Sequence, residues 1–349
     1  MDAWLAATLG ELDLRMEREG WSGGSLGTLY VGGGTPSTLG TGVLGRLRSG
    51  LEERIALGAD AEWTVEANPE SFHRDLAVDW ARVGVNRLSL GAQSFHGPAL
   101  RWMGRLHGPD GPARAVAAAR SAGIDNVSVD LIFGLPEELG RDWTDDLDRA
   151  LALEPEHVSL YGLTAETDAP LGRWVRQGRA RLPDEDAYGT QYLEAVDRLT
   201  GAGLEHYEVS NFARPGKTSR HNSAYWEGVD YLGLGVGAHS FAGGVRWWND
   251  RDWTAYRTAV GEARLPEAGR ERVDAATRRL ERIWLGLRTR SGLVMDGLEP
   301  RQRELVTSWS DRGWAAMDGG TVRLTGPGWL LLDRLAVELD GAGSGPGIA

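Results

Sequence analysis

Short β-type apolar runs recur along the chain at residues 28–31, 62–67, 87–91, 127–131 and 157–161, each followed by a stretch with helical spacing. Their centres lie about 25 to 40 residues apart, the spacing of βα units, and such alternation predicts a parallel sheet with crossover helices. The runs end in polar or glycine-rich loops: GGGTP at 32–36, EANP at 66–69, GAQSF at 91–95, DLIFGLP at 130–136 and YGLT at 161–164. In a barrel the carboxyl ends of all strands meet at one mouth, so loops loaded this way favour a TIM-like (β/α) barrel over an open doubly wound sheet.

The barrel is predicted to be partial, because the chain opens on a helix over residues 2–19, with a glycine-rich loop at 20–27 before the first strand. A helical stretch follows residue 164 as far as about residue 200, and then a single strand-like run over 205–211. Residues 231–248 are rich in glycine and aromatics, and 261–272 read as a polar connector. The expected domains are therefore a barrel core with its extension over 1–260, a smaller α+β unit resembling a winged helix over 261–340, and a disordered tail over 341–349.

Composition narrows the possible functions. At 349 residues the chain has room for one large barrel or two domains, and 41% hydrophobic with 25% charged residues is ordinary for a globular protein. There is no stretch of roughly 20 apolar residues, and the N-terminus has no secretory pattern, so a cytoplasmic protein that is not integral to a membrane is expected. A net charge of −12 argues against a nucleic-acid partner, and makes packing a better role for the winged-helix-like unit than DNA binding. Lys217 is the one lysine, so 37 of the 38 basic residues are arginine, and an arginine alone carries little functional weight here. Cysteine is absent, which removes disulfides, thiolate nucleophiles and cysteine-held metal clusters from the chemistry of this chain unaided.

The candidate chemistry sits in the loops. Gly33, Gly34 and Thr35 follow a strand directly and let backbone amides approach a ligand without a Cβ in the way, although a triple glycine alone is as common in a tight turn. The stretch is neither a Walker loop nor a G-x-G-x-x-G fingerprint. Glu66, Gln93 and Asp130 fall at strand carboxyl ends, where acceptors suit hydroxyl or ammonium groups. Arg105 offers a fork for a carboxylate. His221, Tyr225 and Trp226 in HNSAYW combine an imidazole with flat aromatic walls, a combination equally at home in a packed core. His239 in GVGAHSF is a second such imidazole.

Taken in order, GGGTP, EANPES, RLSLGAQSF, GRLH, VSVDLIFGLP, SLYGLT, HNSAYW and YLGLGVGAHS resemble the oxygen-independent coproporphyrinogen III oxidase-like group of the radical S-adenosylmethionine superfamily. Within that group HNSAYW is similar to the signature of the heme chaperones. The resemblance implies a radical SAM barrel in which Gly33, Gly34, Thr35, Glu66, Gln93, Arg105 and Asp130 contact S-adenosylmethionine. It also implies that His221 holds heme, which makes His221, Tyr225 and Trp226 heme candidates and His221 the candidate iron ligand.

The superfamily holds a [4Fe–4S] cluster with three cysteines in a C-x-x-x-C-x-x-C loop after the first barrel strand, and this chain has neither that strand nor the cysteines. The expectation is a longer form in which they precede Met1. Three functions are open to such a chain: a heme chaperone that passes heme to an acceptor protein, a decarboxylating coproporphyrinogen III dehydrogenase, or a cluster-free heme- or protein-binding module. The signature favours the carrier, with no catalytic residue assigned, and the resemblance raises a respiratory, membrane-associated acceptor.

Overall fold

The computed structural model describes residues 2–21 and 24–343. Helix α1 (Asp2–Glu19) precedes seven strands, β1 (Ser25–Val31), β2 (Ala56–Ala67), β3 (Arg87–Gln93), β4 (Asn126–Phe133), β5 (His157–Gly162), β6 (Glu205–Glu208) and β7 (Asn211–Ala213). They form one sheet in the order β1-β2-β3-β4-β5-β7-β6; the first five are parallel, whereas β7 runs antiparallel to both β5 and β6. The run expected as one strand over 205–211 is therefore two. The chain turns at Val209 and Ser210, and β7 rather than β6 pairs with β5.

The intervening helices are α2 (Val43–Glu52), α3 (Arg74–Arg82), α4 (Gly97–Trp102), α5 (Gly111–Ser121), α6 (Trp143–Leu151), α7 (Pro170–Arg176) and α8 (Glu185–Gly201). Of these, α2, α3, α5, α6 and α8 cover one face of the sheet, because the strands alternate strictly. Trp63 and Val65, Leu88 and Leu90, Val127 and Val129, and Val158 and Leu160 all point to the helices and are at most 2% exposed. The residues between them, Thr64, Glu66, Arg87, Ser89, Ser128, Asp130, His157 and Ser159, are polar and share the other face. A filled barrel has branched apolar side chains in its interior. Here the concave face is polar, which suits a ligand better than a packed core.

Helix α9 (Arg220–Trp226) follows the sheet and contacts β1. Next come β8 (His239–Ala242), β9 (Val245–Asn249), α10 (Trp253–Gly261) and β10 (Glu267–Arg272). Strand β10 pairs antiparallel with β9, so much of the stretch expected as a connector over 261–272 is the edge strand of a three-stranded sheet. Its charged side chains are what hid it from the sequence pattern, since an edge strand can be polar on both faces. A buried ion network fastens this sheet to α1. Glu11 accepts from Gly235 N, Asn249 Nδ2 and Tyr256 Oη at 2.9, 2.7 and 2.7 Å, and Arg15 pairs with Glu19 and Glu267.

The remaining elements are α11 (Ala275–Arg288), β11 (Leu293–Val294), α12 (Pro300–Asp311), β12 (Ala315–Asp318), β13 (Thr321–Leu324), α13 (Gly326–Trp329) and α14 (Leu332–Gly343), with a small sheet ordered β11-β13-β12. Their apolar side chains, among them Leu287, Val306, Trp309 and Leu335, join Leu160, Tyr192 and Leu199 of the half-barrel in one continuous core. Residues 341–343, expected in the tail, end α14; 344–349 lie outside the described residues.

Candidate functional site

At the carboxyl end of β1, Tyr30 donates from its hydroxyl to Glu66 Oε1 at 2.6 Å, and Gly33 N donates to Glu66 Oε2 at 3.1 Å. Glu66 thus folds the glycine loop over the sheet. A Cβ on Gly32 would lie 2.5 Å from the Tyr30 ring and 2.6 Å from the Glu66 carboxylate, and Gly33 has φ +80°, so the loop needs glycine at both places. Gly34 is exposed with no atom near its Cβ position, and Thr35 Oγ1 accepts from Asn68 Nδ2 at 3.4 Å.

Gln93 ends β3 with φ +65°, a left-handed conformation costly for a side-chain-bearing residue, at a register shift between Gly91 and Gln93. The conformation turns its amide back over Gly91, where a Cβ would meet Gln93 Nε2 at 2.8 Å and Asn68 Oδ1 at 3.2 Å. The Gln93 amide makes no side-chain hydrogen bond among the described residues. Arg105 donates to Asn68 Oδ1 at 2.9 Å and has no carboxylate partner among the described residues. A guanidinium without a carboxylate and an amide without a hydrogen bond among the described residues therefore meet around Asn68 beside the glycine loop.

Asp130 lies further along the concave face, next to Gly91 and Ser159 in register, and accepts from Ser89 Oγ at 3.1 Å and Ser128 Oγ at 3.3 Å. Burial raises its pKa to about 6, against the opposing pull of the neighbouring hydroxyls and Arg87. Arg87 itself is 2% exposed, with no ion pair among the described residues and an unpartnered Nε. Its charge lowers the pKa of His157 and of His221, both held neutral chiefly by burial.

The HNSAYW segment, residues 221–226, forms all of α9 but its first residue, and Ser219 caps the helix. Ser219 Oγ accepts from Asn222 N, and the Glu62 carboxylate accepts from Arg220 N and His221 N, both at 3.0 Å, so a negative group closes the positive end of the helix. This fixes His221 against β1. Its Nδ1 lies 2.8 Å from Thr28 Oγ1, its Nε2 lies 2.8 Å from Tyr225 Oη, and its ring stacks on Tyr30 with centroids 5.0 Å apart. Tyr225 also meets Tyr231 edge-on at 4.5 Å, while Trp226 faces the other way, toward Trp284. The structure thus brings His221 and Tyr225 together and leaves Trp226 apart from the imidazole. His239 is exposed and stacked on Trp248, away from this cluster.

The concave face therefore carries two adjoining sets of groups joined by Tyr30: Glu66, Gln93, Arg105 and Asp130 at the mouth, and a neutral imidazole among hydroxyls and aromatic rings beneath it. Tyr30, Thr28, Glu62, Asn68 and Arg87 were not among the candidates read from the sequence. The signal for most of them was the polar residue at every second position of each strand. No group of three or more His, Asp or Glu that could hold a metal ion is found among the described residues.

Residues 7–150 match the family described as the Radical SAM superfamily. The chain is 38% identical over 341 residues to the heme chaperone HemW of Mycobacterium tuberculosis (strain ATCC 25618 / H37Rv), covering 97% of this chain and 87% of that protein. It is 33% identical to the heme chaperone HemW of Synechocystis sp. (strain ATCC 27184 / PCC 6803 / Kazusa), covering 94% and 82%. In fold it resembles the coproporphyrinogen III oxidase HemN of Escherichia coli, a radical SAM enzyme, with a TM-score of 0.79 at 23% identity over 97% of this chain and 83% of that one. With relatives this similar over nearly the whole chain, the protein belongs to the heme chaperone HemW family of the radical SAM superfamily.

Proposed function

We propose that this protein binds heme through His221 and passes it to an acceptor protein. The observation that carries the reading is the state of His221: a neutral imidazole, fixed by Thr28 at Nδ1 and stacked on Tyr30, whose Nε2 is engaged among the described residues by the Tyr225 hydroxyl alone. A hydroxyl is a ready partner to exchange for iron, and a hydrogen bond on the other ring nitrogen orients an imidazole ligand. Tyr225 and Tyr231 supply flat walls beside it. Titrating ferric heme into the full chain should give a saturable Soret change, and His221→Ala should weaken binding at least about tenfold, the loss of an axial ligand. Equal affinity in the two proteins would overturn the reading.

The mouth fits S-adenosylmethionine. Arg105 would take the methionine carboxylate, the glycine-loop backbone and Glu66 the ammonium group, and Gln93 and Asp130 the ribose hydroxyls. The Gln93 amide without a hydrogen bond and the Arg105 fork without a carboxylate, both among the described residues, support that assignment. S-adenosylmethionine brings a sulfonium that is a source of a 5′-deoxyadenosyl radical when a reduced cluster is present. The residues of this chain do not fit a [4Fe–4S] cluster, because none is a cysteine. Coproporphyrinogen dehydrogenation accordingly draws on the fold alone. No helix among the described residues is long and apolar enough to cross a membrane, and we place the protein in the cytoplasm, delivering heme to a respiratory, membrane-associated acceptor. The division of labour we propose gives cofactor binding to residues 1–260 and packing to 261–340.

A further inference from the structure

The far end of α9 is held by a group from the C-terminal unit. Arg288, the last residue of α11, places its Cζ 4.1 Å from the ring centroid of Trp226 and 5.1 Å from that of Trp284, and these two rings lie 6.4 Å apart at 71°. Its NH2 pairs with Glu208 Oε2 at 2.7 Å, where the Glu208 side chain is fully buried and that of Arg288 is 14% exposed. Backbone bonds lock the same junction: Val209 N donates to Arg288 O at 3.2 Å, Arg290 N donates to Tyr207 O at 2.8 Å, and Glu208 bridges Thr289. Trp284, one helical turn before Arg288, is fixed from α14 by a 2.7 Å bond from Nε1 to Asp333.

Helix α9 is therefore held at both ends, by Glu62 and Thr28 at its first turn and by Arg288 at Trp226. The first anchor ties the helix to β2 and β1, and the second ties Trp226 to a guanidinium that is itself paired with Glu208, the last residue of β6. A seven-residue helix has too few internal bonds to hold its own axis, so the direction of His221 depends on those two anchors. A guanidinium suits the second anchor because it is planar, stacks on indole faces and keeps its fork for a carboxylate. Burial raises the pKa of Glu208, and Arg288 is the largest influence drawing it back down.

We propose that Arg288 is a positioning residue for heme ligation: the C-terminal unit completes the site by wedging this guanidinium against Trp226, which sets the orientation of α9 and aims His221. The proposal rests on the heme reading above. It is tested by heme titration with Soret and low-temperature ferric EPR spectra on the wild type, His221→Ala, Arg288→Lys, the charge-neutral pair Glu208→Gln/Arg288→Gln, and Arg288→Lys/His221→Ala, with urea midpoints recorded for each. Arg288→Lys keeps the cation and loses the planar face. It should weaken heme binding about tenfold, move the ferric signature toward that of His221→Ala, and add little once His221 is gone. The neutral pair leaves no unpaired buried carboxylate and should behave alike.

Wild-type heme affinity and spectra in both Arg288 variants, whatever their urea midpoints, would overturn the proposal, as would a loss additive with His221→Ala. Should the neutral pair fail to fold, Arg288→Lys alone decides. Equal binding by the wild type and His221→Ala is a separate outcome that removes the heme reading itself.

Discussion

Tyr30 lies stacked on His221, ring centroids 5.0 Å apart and planes 19° from parallel, while its hydroxyl donates 2.6 Å to Glu66. One side chain thus touches both sets of groups on the concave face. Tyr30→Phe keeps the ring and removes the hydroxyl, leaving Glu66 Oε1 without its buried donor, a loss of about 1 to 3 kcal/mol. The expected result is a lowered unfolding midpoint and weaker S-adenosylmethionine binding in equilibrium dialysis, with heme affinity within about threefold of wild type because the stack survives. Tyr30→Leu should lose heme affinity as well. Identical heme binding in the leucine variant would show that the stack contributes nothing to His221.

Much of this arrangement was legible in the sequence. The βα spacing located all five parallel strands; Glu66, Gln93 and Asp130, read at the strand ends, lie in the last residues of β2, β3 and β4, and the glycine turn follows β1. What the loops could not show was long-range. Thr28 and His221 are 193 residues apart in sequence, and Arg220 and Glu62 158, and only the folded sheet brings them together. Strand β10 escaped notice because its residues are mostly charged, and the break between β6 and β7 because a two-residue turn without glycine leaves little mark on an apolar run.

Asp130 makes the fold pH-sensitive in a direction opposite to that of an ion-paired carboxylate. Its folded pKa of about 6 lies above the ordinary 3.8, so its stabilising protonated form is fully present below about pH 4 and lost as pH rises through about 6. Asp130→Asn should therefore be more stable than wild type at pH 8, by up to about 3 kcal/mol, with the difference shrinking toward pH 4. Urea unfolding at the two pH values measures it. The same substitution should weaken S-adenosylmethionine binding, the usual trade of stability against function at a ligand site.

Arg15 is buried, within reach of three carboxylates, Glu11 at 3.5 Å, Glu19 at 3.1 Å and Glu267 at 2.5 Å, and its guanidinium lies over Trp247 at 5.2 Å. Removing it leaves Glu11, 0% exposed, without a cation. Arg15→Met should destabilise by about 3 to 5 kcal/mol, the usual outcome when one partner of a buried ionic network is deleted. Adding Glu11→Gln should recover part of that loss, since the amide still accepts from Gly235 or Tyr256 and carries no charge. No recovery in the double variant would mean that the packing of Arg15 on Trp247, rather than charge balance, holds α1 to the sheet of β8, β9 and β10.

Glu62 links the two themes of charge and presentation. Its carboxylate accepts from the first two amides of α9 at 3.0 Å each, satisfying donors that otherwise have no partner at a helix start. Glu62→Gln keeps one acceptor and removes the charge, at a cost of about 1 kcal/mol for the helix dipole; Glu62→Ala leaves both amides without it and should cost about 2 to 3 kcal/mol. If α9 aims His221, heme affinity should fall in the same order, wild type, Gln, Ala. The pH profile separates this from a change in the imidazole itself. Burial keeps the His221 pKa below its ordinary value and Glu62 opposes that, so removing Glu62 lowers it further. Heme binding, which needs the neutral ring, should then persist to a lower pH in Glu62→Ala than in wild type, even though it is weaker at neutral pH. An acid limb that moves upward instead would place the titrating group elsewhere than on His221.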